Sequence, residues 1–266
     1  MAEIVTLEIR DHIAFVTLNR PEKYNALNLE MFYRILEVGE AVKNDPSIRA
    51  VVLSGNGKGF CAGLDFEIFE KLGADPGGHD LFDRPEDNPA NKAQQVAWVW
   101  KQVPVPVIAA LHGVAFGGGI QLALAADIRL AAADTRMSVM EIKWGLVPDM
   151  SGSQTLCDLV RLDVAKELVF TGRIVEAAEA AELGLVTRIC EDPRGEAEKL
   201  AKVIAGKSPD AISRGKQLLE EAWRSGPEKG LLLEETLQRE LIATPNQIEA
   251  VMANLEKRPP VFQDRG

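Results

Sequence analysis

Gly59-Phe60-Cys61-Ala62-Gly63-Leu64-Asp65 and His112-Gly113-Val114-Ala115-Phe116-Gly117-Gly118-Gly119 are the two stretches on which the reading of this chain turns. Each follows a short apolar run, Val51–Leu53 for the first and Val105–Leu111 for the second, and each leads toward a helix. Glycine admits positive φ and lets one backbone approach another, or a ligand, closely. Such a loop aims consecutive N–H groups at one point, and a helix start adds its own unpaired N–H groups and the positive end of its dipole. One donor from each loop suits a carbonyl oxygen that becomes an oxyanion. The alternative use of the same glycines is tight turning and close strand–helix packing. Competing motifs fail on spacing. Gly206-Lys207-Ser208 lacks the upstream glycine of a phosphate loop, Gly117-Gly118-Gly119 lacks the third glycine of a dinucleotide fingerprint, and no G-x-S-x-G elbow is present.

Outward from these loops, Ile4–Ile9 and Ile13–Leu18 read as a hairpin around Arg10-Asp11-His12. Asn28 is an N-cap for a helix whose apolar positions Leu29, Phe32, Leu36 and Val42 recur at helical spacing. Asp65 caps a short helix after the first loop. Residues 73–91, rich in Gly, Pro and Asp, read as a mobile surface loop. A helix is expected over Lys92–Gln102, another from Gly119 to about Ala125, and a strand over Ile128–Ala132. Repeated strand–loop–helix order makes the chain α/β. Past residue 190 the texture turns helical, with expected helices at 196–205, 209–224, 228–242 and 245–256; Thr244-Pro245 is a cap followed by proline at the first helical position. The division is an α/β core at 1–205 and a helical region at 206–266.

The 266 residues carry 40 acidic and 30 basic side chains, a net charge of −10 that disfavours a nucleic-acid partner. The N-terminus has no signal-peptide pattern. The longest apolar region, Val103 to Ala126, is broken by prolines, glycines, His112 and Gln121, so no membrane span is expected. Cys61, Cys157 and Cys190 are scattered and odd in number, which suits a reducing cytoplasm; with His12, His79 and His112 they form no metal-ligand spacing. Cys61 adjoins the first loop's donors, but no base neighbours it in sequence, and it reads as a small apolar filler. Trp98, Trp100, Phe66 and Phe69 are candidates to line an acyl tunnel or to pack in the core.

The chain resembles the crotonase, or enoyl-CoA hydratase/isomerase, superfamily. The resemblance runs in order through Asn19-Arg20-Pro21, Asn25-Ala26-Leu27, Phe60-Cys61-Ala62-Gly63-Leu64-Asp65, Gly113 with Gly117-Gly118-Gly119, and Ala126-Asp127-Ile128-Arg129. It continues through Glu141, Gly145-Leu146-Val147-Pro148, Thr171-Gly172-Arg173 and Ala178–Val186. It implies a crotonase-like spiral of ββα units with a C-terminal helical trimerisation region, assembled as a homotrimer or hexamer. It implies an acyl-CoA thioester as substrate, with coenzyme A part of that substrate and no separate cofactor. The oxyanion N–H groups fall by the resemblance on Ala62 and Gly118, and the CoA-binding edge on Lys23, Ala26, Leu64, Asp65 and Gly117.

The hydratases of the family carry two glutamates beside the acyl chain. Their positions match Gln121 and Glu141 here. A glutamine donates and accepts hydrogen bonds but takes up no proton near neutral pH, and general acid–base help is worth roughly 10²–10⁴-fold. The alternative is that Gln121 is simply a polar residue at a helix start. Glu141 lies among apolar neighbours that would raise its pKa toward a useful range. Asp149, eight residues on, resembles an acid of the dienoyl-CoA isomerase branch, although that branch has a third acid where Gln121 stands; N-capping of a helix near Ser151 is its alternative role. The retained carboxylates favour double-bond isomerisation over hydration. An acyl-CoA-binding protein without turnover is the reading of a different class.

Overall fold

The computed structural model describes residues 3–68, 80–86 and 88–266. The hairpin is formed by β1 (Val5–Arg10) and β2 (Ile13–Leu18), antiparallel with Arg10 opposite Ile13. Asp11 and His12, both at positive φ, form the two-residue turn whose twist matches that of the strands. α1 (Leu29–Asn44) starts where Asn28 accepts the N–H of Met31. β3 (Ala50–Gly55), β4 (Val107–Leu111), β6 (Ile128–Ala131) and β9 (Arg188–Ile189) then add in parallel, giving the order β1-β2-β3-β4-β6-β9. β4 begins two residues later than expected. Pro106 has no N–H for the ladder, though its carbonyl accepts from Val51.

β2, β3 and β4 are covered on both faces. Ile13, Phe15, Ala50, Val52, Ile108 and Ala110 meet Ala197, Ala201 and Ala205 of α7 (Pro193–Ala205). The alternate residues Ala14, Val16, Val51, Leu53, Ala109 and Leu111 join the larger core with α1 and α2 (Lys92–Gln102). Two-sided burial is why these strands read as near-continuous apolar runs. The α2 start carries a reciprocal capping box between Asn91 and Gln94.

A second sheet, β5-β7-β8, has β5 (Val114–Phe116) parallel to β7 (Arg136–Ser138), with β8 (Val175–Glu176) antiparallel to β7. α3 (Gly118–Leu124) follows β5 directly. Between β7 and β9 lie α4 (Gly152–Leu159), α5 (Leu162–Thr171) and α6 (Ala177–Leu183). The chain ends in α8 (Pro209–Ala222), α9 (Pro227–Leu241) and α10 (Pro245–Glu256), the last capped by Thr244. Its final residues return to the sheet, where Arg49 Nη2 donates to Phe262 O and Arg265 donates to Asp45 O. No helix among the described residues is long and apolar enough to cross a membrane. Of the loop expected over 73–91, residues 80–86 and 88–91 are described and lie in turns and irregular chain; the rest, with Phe69, is outside the described residues.

Candidate active site

The two glycine loops are laced together backbone to backbone. Phe60 N donates to His112 O, Cys61 N to Val114 O and Phe116 N to Cys61 O, each at 3.0 Å. Two glycines make this approach possible. A Cβ on Gly113, at φ +59°, would stand 2.1 Å from Lys58 O, and one on Gly119 would stand 2.3 Å from Cys61 O. Both roles weighed for the glycines are therefore combined, since close packing is what brings the loops' N–H groups together. Gly119→Ala is expected to cost about 2–3 kcal/mol, because the obstructing atom is backbone and cannot swing aside. The melting temperature should fall by roughly 4–12 °C; an unchanged melt would show that the loops separate freely. Asn25 ties the same junction, its amide donating to Asn56 O, Gly59 O and Phe60 O while its oxygen accepts from Arg20 N.

The structure corrects one expected donor. Ala62 N donates to Tyr24 O at 2.9 Å, so its N–H is turned into the scaffold. Leu64 N and Gly118 N donate to no acceptor among the described residues. Leu64 sits between Leu27 N→Gly63 O and Asp65 N→Leu27 O, a bridge that fixes its peptide on the side away from Leu27. Gly118 opens α3, and a Cβ on Gly63 would lie 3.4 Å from its nitrogen, so the two loops adjoin at this point.

Asp65, expected on the coenzyme edge, is turned inward. It is 5% exposed and pairs with Arg20 at 2.9 Å. Burial raises its carboxyl, but the Glu67 N–H and Arg20 outweigh it and hold the pKa below the usual range. Its Oδ1 accepts from Glu67 N, so it does cap the turn that follows. Ala26 O accepts from Arg20, Lys23 is exposed at the rim, and Gly117 N donates to Ser138 O. Cys61 is fully buried and its thiol is pushed up to about 12 by desolvation, which leaves it inert at neutral pH. Trp100 is a core residue, whereas Phe66 stacks edge-on against Trp144 at 5.3 Å on the outer face.

The polar centre is built by Gln121, Glu141 and Asp149. Gln121, 1% exposed on α3, donates from Nε2 to Glu141 Oε1 at 2.6 Å. Its Oε1 accepts from Met150 N at 2.8 Å and Gly152 N at 3.0 Å. The amide orientation follows from the partners, since two N–H donors demand the oxygen and a carboxylate demands the NH₂. Gln121 is thus a brace between the Glu141 carboxylate and the loop that carries Asp149. It is not merely a polar residue at a helix start.

Glu141 opens a short 3₁₀ turn (Glu141–Trp144) and is 8% exposed. Its Oε1 would lie 3.5 Å from a Cβ on Gly117, beside the second loop. Its Oε2 is buried with no partner among the described residues. Desolvation raises its pKa, and the nearby Asp149 charge raises it further, while Gln121 opposes both. Burial among its neighbours also raises Asp149. Asp149 does not cap α4. The residue ahead of that helix is Ser151, at φ +63°, with no side-chain cap bond.

Asp149 also faces a cavity of about 300 Å³ bounded by the α2 start, residues 148–154 and Arg224. Trp98 is in its wall. Sequence reasoning missed this cavity. The polar run Ser151-Gly152-Ser153-Gln154 was its only local signal, and Arg224 arrives from the turn that follows α8.

Comparison with known proteins points to one family. The family described as Enoyl-CoA hydratase/isomerase matches residues 8–265. A Mycobacterium bovis protein named "Probable enoyl-CoA hydratase" is 35% identical over 266 residues, covering 99% of both chains. The short-chain-enoyl-CoA hydratase of Clostridium acetobutylicum is 32% identical, covering 96% of this chain and 95% of its own. The crystal structure of an enoyl-CoA hydratase from Mycobacterium tuberculosis superposes with a TM-score of 0.85 at 29% identity, covering 98% of each chain. With the same fold over nearly its full length, and with carboxylates set beside two glycine loops, the chain belongs to the enoyl-CoA hydratase/isomerase family and is a crotonase-fold enzyme.

Proposed function

We propose that the enzyme moves a double bond within an enoyl-CoA thioester through an enolate. The thioester oxygen accepts from the N–H groups of Leu64 and Gly118, and the start of α3 adds its dipole to the developing charge. Glu141 Oε2 takes a proton from the acyl chain. Either Glu141 returns it to another carbon, or Asp149, protonated, delivers one farther along while Glu141 keeps the first. The atoms of substrate and product are the same, and no water is consumed. The observation that carries the reading is the brace at Gln121. It occupies the position where a second glutamate would hold water, and its amide takes no proton near neutral pH. Glu141 and Asp149 are then the acids available to the chain.

Water addition is the second reading, favoured by the names of the relatives, among them the short-chain-enoyl-CoA hydratase. Purified enzyme should generate conjugated thioester absorbance from 3-enoyl-CoA or shift a 3,5-dienoyl-CoA to its 2,4 isomer. Loss of absorbance from 2-enoyl-CoA as the dominant activity would replace isomerisation by hydration. Binding without turnover on any of these would make the chain an acyl-CoA-binding protein. Asp149→Asn should reduce the dienoyl shift roughly 100-fold and the neighbouring-carbon shift by less than about tenfold. Equal losses on both substrates would remove Asp149 from the longer transfer.

Assembly as a homotrimer or hexamer through residues 206–266 belongs to the same proposal. Leu219, Trp223, Leu231, Leu232 and Leu255, all large and exposed on that region, support it.

A further inference from the structure

The cavity that Asp149 faces has a largely polar wall. We propose that the cavity beside Asp149 is a specificity subsite for an acyl group that carries an uncharged hydrogen-bonding function, a hydroxyl above all, away from the thioester. This rests on the acyl-CoA reading above. A plain alkyl chain would be matched by an apolar wall, and six of the ten described lining residues are instead polar or charged. Ser153 and Gln154 are both solvent-accessible there, and Gln154 Nε2 donates to Ser153 Oγ at 3.3 Å, which leaves the Ser153 hydroxyl proton to be donated. Trp98 gives the cavity a flat apolar side.

The charges in the wall argue against an anionic acyl tail. Arg224 reaches from the turn after α8 to Gln154 O at 2.8 Å, Gln154 Oε1 at 2.9 Å and Asp158 Oδ2 at 2.6 Å. Its guanidinium is therefore already engaged and held in a fork, serving to fix Gln154. A terminal carboxylate would find one cation among the described lining residues, Arg224, and that one is already bound to Asp158 and Gln154. A hydroxyl meets Ser153 and Gln154 and needs no cation. A hydroxyl replaces the water bonds of Ser153 and Gln154 with its own, whereas a methyl displaces that water and returns nothing, so the wall favours the hydroxylated chain.

The test is calorimetric binding of two saturated eight-carbon acyl-CoA thioesters that differ only in a terminal hydroxyl or methyl. The hydroxylated thioester should bind at least about tenfold more tightly. Ser153→Ala with Gln154→Leu, both at exposed positions and compatible with folding, should bring the two to equal affinity. An equal or tighter methyl-terminated ligand overturns the subsite, as does a preference that survives the double variant. Neither ligand is turned over, so a preference found in an enzyme without isomerase activity would uphold the subsite and refute only the reaction. Failure to bind either thioester would overturn both.

Discussion

Glu141→Gln should abolish most turnover, lowering kcat by roughly 10²–10⁴-fold while leaving acyl-CoA affinity within a few-fold. The substituted amide has nearly the shape of the carboxylate and can still accept from Gln121 Nε2, so the brace survives. What is lost is the proton acceptor at Oε2, which is buried beside the glycine loops. The same variant makes a prediction about stability. Glu141 has a folded-state pKa above its unfolded value because burial disfavours its charge. The native state therefore binds more protons than the unfolded chain between those two pKa values. Stability from this group is complete below the ordinary glutamate pKa and is lost as pH rises through the folded pKa. Glu141→Gln should accordingly melt higher than the parent at neutral pH, with the difference closing toward pH 4. A variant that keeps parental kcat would remove Glu141 from proton transfer. A melting difference that grows on acidification would contradict the desolvation of its carboxylate.

Gln121→Leu should be the most damaging substitution to stability in the site. It leaves three buried groups, Glu141 Oε1, Met150 N and Gly152 N, without their partner. At ~1–3 kcal/mol for each such group, the expected loss is at least about 3 kcal/mol, or a fall in melting temperature of at least roughly 6–12 °C. Gln121→Glu separates bracing from mere volume. Its carboxylate still accepts from Met150 N and Gly152 N, but its other oxygen meets Glu141 Oε1 at about the 2.6 Å of the present bond. Two carboxylates at that separation share a proton. The glutamate variant should fold at neutral pH, move the acid limb of the pH–rate profile upward, and destabilise as pH rises. A wild-type profile in Gln121→Glu, together with a mild melt in Gln121→Leu, would show that Gln121 braces nothing.

Much of the fold was legible in the sequence because its signals are local. Asn28 and Thr244-Pro245 mark helix starts through bonds to residues three positions away. β2, β3 and β4 announce themselves because a strand covered on both faces is apolar throughout. The short β5-β7-β8 sheet was not legible. Its strands run two or three residues and carry no period of their own. α4 was visible only as a start near Ser151, and the capping role that was the alternative for Asp149 is not taken up, since Asp149 lines the cavity while Ser151 takes the left-handed turn.

By itself the sequence determined the family, the two facing glycine loops, the placement of Glu141 and the replacement of a second acid by Gln121. These follow from residue type and order along the chain. Only the tertiary structure decided which N–H groups are free, because the acceptor that takes Ala62 N is Tyr24 O, from the turn before α1. It also decided that Gln121 binds Glu141 and the Asp149 loop at once, and that Arg224 crosses from the turn after α8 to hold Gln154. A hydrogen bond's partner is set by where the fold brings a distant acceptor, and no local pattern encodes that position.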